Sequence, residues 1–114
     1  MTQKSYCASF KKYEKIKNNK EFEEIFKRGN KIKGEKIIIF TKTNNFQSSR
    51  LGIALSKEFK KVSIRNYFKR IAREVFRRNK HMIPAPADVI ILIRKTVSFK
   101  ELENFFIRVF TDGE

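Results

Sequence analysis

The sequence predicts an α+β fold in which a small mixed β-sheet is packed with about three helices. Three runs of strand length are rich in Ile, Leu and Val, namely residues 36–42, 50–56 and 88–95. Three other segments repeat their apolar residues at helical spacing, namely residues 18–29, 63–79 and 98–110. The order along the chain is therefore helix, two or more strands, helix, strand and helix, and 114 residues fit a single domain.

The first predicted helix has recognisable signals at both ends. Asn18 followed by Glu21 fits a capping pattern, and Gly29 stands where a helix would stop. Between them, one apolar stripe at i, i+3 and i+4 spacing is formed by Phe22, Ile25 and Phe26.

The next two segments read as strands with different surroundings. Residues 36–42 contain an unbroken apolar run, Ile37 to Phe40, which predicts a central strand buried on both faces. In residues 50–56, bulky residues alternate with small ones, so one face of this strand is bulky and the other nearly bare. The bare face, formed by Gly52, Ala54 and Ser56, leaves room for a ligand backbone.

The helix over residues 63–79 carries the most informative pattern. Ten Lys or Arg occur from Lys57 to Lys80, against only Glu58 and Glu74. At about 100° per residue, the predicted buried side holds Ile64, Phe68, Ile71, Ala72 and Val75, with Phe76 near its edge. The opposite arc holds Arg65, Asn66, Lys69, Arg70, Arg73 and Arg77. Like charges at i,i+4 disfavour the isolated helix, which indicates an anionic partner, the alternative being a merely solvated face.

The last part of the chain completes the pattern. Pro84 and Pro86 close the connection after the basic helix, and residues 88–95 read as another strand. Ser98 and Glu101 form a capping box for the final helix. The strand–helix–strand portion would ordinarily be expected to cross over right-handed.

Net charge and composition limit the classes of partner that the protein is expected to bind. The chain carries 27 Lys or Arg against 12 Asp or Glu, a formal net charge of +15, which attracts nucleic acid or an anionic membrane surface. The apolar side of the basic helix looks needed for the core, so we expect no membrane binding. Because no apolar run reaches the length of a membrane span or signal peptide, a cytoplasmic location is expected.

The residues that could carry chemistry are few. The single His, His81, has no sequence neighbour to orient it as a base, and the carboxylates form no recognisable metal-binding pair. Cys7 is the single Cys, which excludes an internal disulfide. We therefore predict no catalytic residue and no metal site. The polar, basic residues 1–17 are expected to form a flexible arm, and residues 18–114 one nucleic-acid-binding α+β domain.

A long, position-specific motif resembles the signature of the protein subunit of bacterial ribonuclease P. Its residues are Ser56-Lys57, Lys61-Val62-Ser63-Ile64-Arg65-Asn66, Lys69-Arg70, Arg73-Glu74 and Phe76-Arg77. The resemblance extends over most of the chain. One departure is Tyr67, where the family usually has a second Arg after Arg65-Asn66. Tyr67 either stacks on RNA or covers the edge of the core, and Lys60 and Arg70 are candidates to supply the missing charge.

The resemblance implies a ribosomal-protein-S5-domain-2-like fold with a left-handed crossover at the basic helix. It also implies a ribonucleoprotein in which a large RNA, assisted by Mg²⁺ bound mainly by that RNA, removes the 5′ leader of precursor tRNA. The expected RNA-binding residues are Lys57, Lys60, Lys61, Arg65, Asn66, Lys69, Arg70, Arg73 and Arg77. The residues expected to line a cleft for single-stranded leader are Phe22, Phe26 and Phe40, although the first two also fit an ordinary core stripe.

The expected partners are therefore the ribonuclease P RNA and precursor tRNA, bound by a protein that is monomeric on its own. A DNA-binding regulator would need base-reading side chains and usually a dimer surface, neither of which is identifiable. Two alternatives remain at this point: a basic ribosomal or RNA-chaperone protein without a catalytic partner RNA, and a protein-only nuclease.

Overall fold

The structure, a computed structural model, describes residues 15–16, 19–44, 49–84 and 86–111. These residues form an α+β fold of three α-helices and one four-stranded sheet, as predicted. The elements are α1 (Asn19–Arg28), β1 (Asn30–Lys33), β2 (Ile37–Thr43), β3 (Arg50–Leu55), α2 (Val62–Asn79), a 3-10 turn (Lys80–Met82), β4 (Ala87–Ile93) and α3 (Phe99–Thr111).

The sheet is mixed, with strand order β1-β2-β4-β3. β2 pairs antiparallel with both β1 and β4, whereas β3 pairs parallel with β4, so that α2 lies in the connection between two parallel neighbours. Strand β1 was not predicted, because it is four residues long and Ile32 is its one apolar residue. The hand of the β3-α2-β4 crossover stays an expectation from the resemblance.

One face of the sheet forms the main core with α2 and α3. Its most deeply buried side chains include Phe68, Phe76 and Phe106, each at most 2% exposed. Odd-numbered residues of β2, such as Ile39, point into this core, and even-numbered ones, such as Ile38, into a second cluster. The prediction that this strand is central and buried on both faces is confirmed.

The other face of the sheet is covered in part by α1. Ile25 is buried there with Ile38, Phe40 and Ile90. The ring of Phe22 lies over Gly52, where an added Cβ would come within 2.7 Å of Phe22 Cζ. The bare position at residue 52 thus accommodates a side chain of the same protein.

Of the predicted basic arm, only Lys15 and Ile16 lie within the described residues, and both contact the domain. Lys15 forms a parallel bridge with Leu51, and the backbone N–H of Ile16 donates to the Leu51 carbonyl at 3.0 Å. The Ile16 side chain is buried in the second cluster. These contacts cover part of the outer edge of β3.

A buried ion pair fixes α1 against the sheet. The parallel register places Arg50 beside Asp88, and Arg50 donates to both Asp88 oxygens, at 2.8 Å from Nε and 2.7 Å from Nη2. Arg50 Nη1 also donates to Glu21 of α1 at 3.2 Å. The hydrogen bonds to Asp88 raise the pKa of Arg50, so the guanidinium stays charged despite its burial.

The capping box predicted for the last helix is present. The Glu101 N–H donates to Ser98 Oγ at 3.1 Å, and the Ser98 N–H donates to Glu101 Oε1 at 2.9 Å. The Ser98 N–H and the Lys36 ammonium lower the pKa of Glu101, so its carboxylate is ionised at neutral pH. The cap and the ion pair between Lys36 and Glu101, 3.1 Å long, fix the start of α3 beside the β1–β2 hairpin.

Replacing Ser98 tests this cap. Ser98→Ala is expected to lower the free energy of unfolding by about 1 kcal/mol, because the Glu101 N–H loses its acceptor. Urea unfolding would show this as a lower midpoint with an unchanged slope. Ser98→Asp, which keeps an acceptor at the cap, is the matched control and should retain most of the stability. Equal losses for both variants would mean that the side-chain acceptor at residue 98 is not the source of the lost stability.

Candidate RNA-binding surfaces

The outer side of α2 presents a cationic surface away from the core. We call Asn66, Lys69, Arg70 and Arg73 the basic face. Asn66 and Arg70 are exposed, and Lys69 and Arg73 are half-buried. Within the described part of the chain, no carboxylate forms an ion pair with Lys69, Arg70 or Arg73. Their charges are therefore not neutralised by the described carboxylates.

The other predicted cations of α2 have contacts within the protein. Arg65 Nη1 donates to the Phe59 carbonyl at 3.0 Å, so this side chain also fastens the connection before the helix. Arg77 Nε donates to Glu74 Oε1 at 3.2 Å, and this partner lowers the pKa of Glu74. Arg65 and Arg77 remain at the surface, but substituting either would disturb a contact within the protein.

Three of the predicted RNA-binding lysines lie in the connection between β3 and α2. Lys57, Lys60 and Lys61 are all exposed. They lead directly into the start of α2, where Lys61 makes no side-chain cap hydrogen bond and the first turn has no acidic residue. A helix start of this kind favours an anion from outside the protein.

The prediction for the buried side of α2 was wrong at its first turn. Ile64 is 40% exposed, whereas Phe76, placed near the edge of the stripe, is 1% exposed. Residues 60–64 are all exposed, so the first turn lies outside the core and only the helix from Phe68 onward is packed. Val62 and Tyr67 are exposed in the same region.

The three phenylalanines predicted to bind leader come together on the opposite side of the sheet. Phe26 packs edge-on against Phe40 with ring centroids 4.7 Å apart, and Phe22 lies 6.1 Å from Phe26. Phe40 is buried beneath them, Phe22 is half-buried and Phe26 is 40% exposed. Beside them, Ala54 and Leu92 are partly exposed on the same face. These five residues are the phenylalanine surface.

Strand β1 adds two cations beside this surface that were not predicted. Lys31 pairs with Phe40 and Lys33 with Ile38, and directly paired residues point to the same face of a sheet. Both lysines are exposed. The alternation Lys31-Ile32-Lys33 after Gly29 was the signal for this strand, but one apolar residue is too few to identify it.

His81 is exposed in the 3-10 turn. No group of three or more His, Cys, Asp or Glu able to hold a metal ion occurs in the described part of the chain. Nor is any helix in that part both long and apolar enough to span a bilayer.

Comparisons with known proteins agree with the resemblance. The family model described as Ribonuclease P matches residues 10–112. A Thermotoga sp. ribonuclease P protein component is 36% identical over 102 residues, covering 88% of this chain and 87% of that protein. The solved ribonuclease P protein of Thermotoga maritima has a TM-score of 0.76 at 31% identity, covering 89% of this chain and 98% of that one. That of Staphylococcus aureus has a TM-score of 0.76 at 28% identity, covering 89% and 95%.

Proposed function

The chain belongs to the bacterial ribonuclease P protein family, the protein subunits of the endoribonuclease that matures the 5′ end of tRNA, and we propose how its two surfaces serve that activity. The basic face of α2 binds the RNA subunit. The phenylalanine surface binds the single-stranded leader of precursor tRNA. The RNA subunit performs the chemistry, with Mg²⁺ held mainly by that RNA.

The observation that carries the first assignment is the absence of described carboxylate partners for Lys69, Arg70 and Arg73. Three cations on one side of one helix repel one another, and phosphates of a folded RNA relieve that repulsion. The exposed lysines of the β3–α2 connection and the uncapped start of α2 extend the same surface. Arg65, Asn66 and Arg77 lie along it as further contacts.

The leader assignment rests on an exposed aromatic ring beside cations. Unpaired bases stack on aromatic rings while Lys or Arg follows the phosphates. Phe26 offers the most exposed ring, Phe22 stands beside it, and Phe40 supports both from below. Lys31 and Lys33 on β1 are placed to follow the leader backbone.

Phe26 gives the cleanest test of leader binding, since Phe40 is buried and its loss would also disturb the core. Phe26→Ala is expected to weaken binding of precursor tRNA to the holoenzyme by about 5- to 150-fold, the loss of one stacked base. Binding of mature tRNA should not change, because it has no leader. Equilibrium binding of the two tRNAs to the reconstituted holoenzyme measures the difference.

A charge variant at the same surface separates stacking from phosphate contacts. Lys31→Gln with Lys33→Gln should lower the salt dependence of leader-dependent binding, whereas Phe26→Ala should leave that dependence unchanged. If Phe26→Ala weakens precursor and mature tRNA equally, the phenylalanines serve packing and not leader recognition.

Reconstitution tests the function as a whole. The protein, monomeric on its own, is mixed with its cognate ribonuclease P RNA and a precursor tRNA at low Mg²⁺, and 5′ cleavage is followed. The expected result is cleavage that needs the RNA and is stimulated by the protein. Cleavage by protein alone would instead indicate a protein-only nuclease, and RNA binding without stimulation would indicate a general RNA-binding protein. Duplex DNA should not compete for the RNA site at equal concentration.

A further inference from the structure

The start of α2 exposes apolar side chains beside the basic face. Ile64 is 40% exposed and Tyr67 is 43% exposed, and their i, i+3 spacing places them next to each other along the helix. Tyr67 is likewise three residues before Arg70, so it borders the basic face directly. Within the described residues, the Tyr67 ring contacts Phe68, with centroids 5.4 Å apart, and its hydroxyl has no hydrogen-bond partner.

The exposure of Tyr67 favours contact with RNA over the covering of the core edge. The neighbouring Phe68, a core side chain, is 2% exposed and has no ring face open to a ligand. Tyr67 instead keeps a large part of its ring accessible, supported on one side by Phe68. An exposed ring on an RNA-binding helix is suited to contact with an unpaired base, because each base has a flat face that stacks on an aromatic ring.

The charges around the ring favour nucleic acid over a protein partner. Lys60, Lys61 and Arg70 are exposed nearby along the chain, and none forms an ion pair with a described carboxylate. A second copy of the chain would bring the same positive charge to this patch. A stable protein interface also needs about 800 Å² from each partner, which a few half-exposed side chains do not supply.

We propose that Tyr67, with Ile64 beside it, is a stacking platform for an unpaired nucleotide of the RNA subunit. This proposal rests on the assignment of the basic face to that RNA. At residue 67 this chain would then have a stacking contact where the family usually has a second arginine. Stacking contributes affinity without neutralising a phosphate. Binding at this position should therefore be insensitive to salt.

Salt titrations of RNA-subunit binding test the proposal with three variants. Tyr67→Ala is expected to weaken binding by about 5- to 150-fold at every salt concentration, with an unchanged slope of log affinity against log salt. Tyr67→Phe should bind like the parent, because the ring is retained. Tyr67→Arg should steepen the slope by about one, because a phosphate contact replaces the stacked base.

The outcomes separate this proposal from the assignment beneath it. If Tyr67→Ala binds the RNA subunit like the parent while Arg70→Ala with Arg73→Ala weakens binding, the stacking platform is wrong and the basic face stands. If neither weakens binding, the basic face is wrong as well. Tyr67→Ala should unfold at the same temperature as the parent. If the variant loses RNA affinity only at temperatures at which it is unfolded, the proposal is overturned. Analytical sedimentation of the parent and of Tyr67→Ala tests for a protein interface. Self-association that is lost in Tyr67→Ala, with unchanged affinity for RNA, would indicate such an interface and contradict the proposal.

Discussion

Raising the salt concentration from about 50 to about 200 mM is expected to weaken binding of the RNA subunit by about three orders of magnitude. This magnitude follows if the basic face and its neighbouring lysines neutralise about six phosphates, because each neutralised phosphate releases condensed counterions. Filter binding or fluorescence anisotropy over a series of salt concentrations gives the slope. A shallow slope would contradict the placement of the RNA on α2.

Two substitutions locate this effect on the helix. Arg70→Ala with Arg73→Ala should lower the slope by about two and weaken binding at low salt. These residues are better probes than Arg65, which also holds the Phe59 carbonyl, or Arg77, which is paired with Glu74.

The matched control removes the same charge elsewhere. Lys20→Gln with Lys27→Gln changes two exposed cations of α1, which packs on the other face of the sheet from α2, and lowers the net charge equally. It should leave the slope almost unchanged. If it reduces the slope as much as the arginine variant does, binding depends on total charge and not on this helix.

Long periodic segments were the features that sequence predicted well. The basic face was predictable because α2 has 18 residues, enough for the helical period to separate cations from apolar residues. The cap of α3 was predictable because Ser98 and Glu101 act on one another locally. The central position of β2 followed from four consecutive apolar residues, since only burial on both faces accommodates such a run.

Features that depend on distant residues could not be predicted in the same way. Ile64 is exposed because the first turn of α2 lies outside the core, and helical periodicity carries no information about where along a helix the packing begins. The edge-on packing of Phe26 against Phe40 requires α1 and β2 to be packed together. Likewise, Arg50 and Asp88 are 38 residues apart and meet only because β3 and β4 pair in parallel.

Asp88→Ala is expected to lower the free energy of unfolding by about 3 to 5 kcal/mol, the usual cost of removing one partner of a buried ion pair. Arg50 and Asp88 have side-chain exposures of only 11% and 9%, so the guanidinium left behind would remain buried with Glu21 as its partner. Such a loss is a large part of the roughly 5 to 15 kcal/mol that stabilises a domain. Urea unfolding followed by circular dichroism measures it through the midpoint.

A double substitution separates the cost of an unpaired charge from the value of the pair itself. Arg50→Met with Asp88→Leu removes both charges and fills the space with apolar side chains, so it should be more stable than Asp88→Ala. Because Arg50 also bonds to Glu21, the double variant should hold α1 less firmly and bind leader more weakly, while its α2 still binds the RNA subunit. A cost below about 1 kcal/mol for Asp88→Ala would show that water readily reaches the guanidinium, and that the pair with Asp88 contributes little to stability.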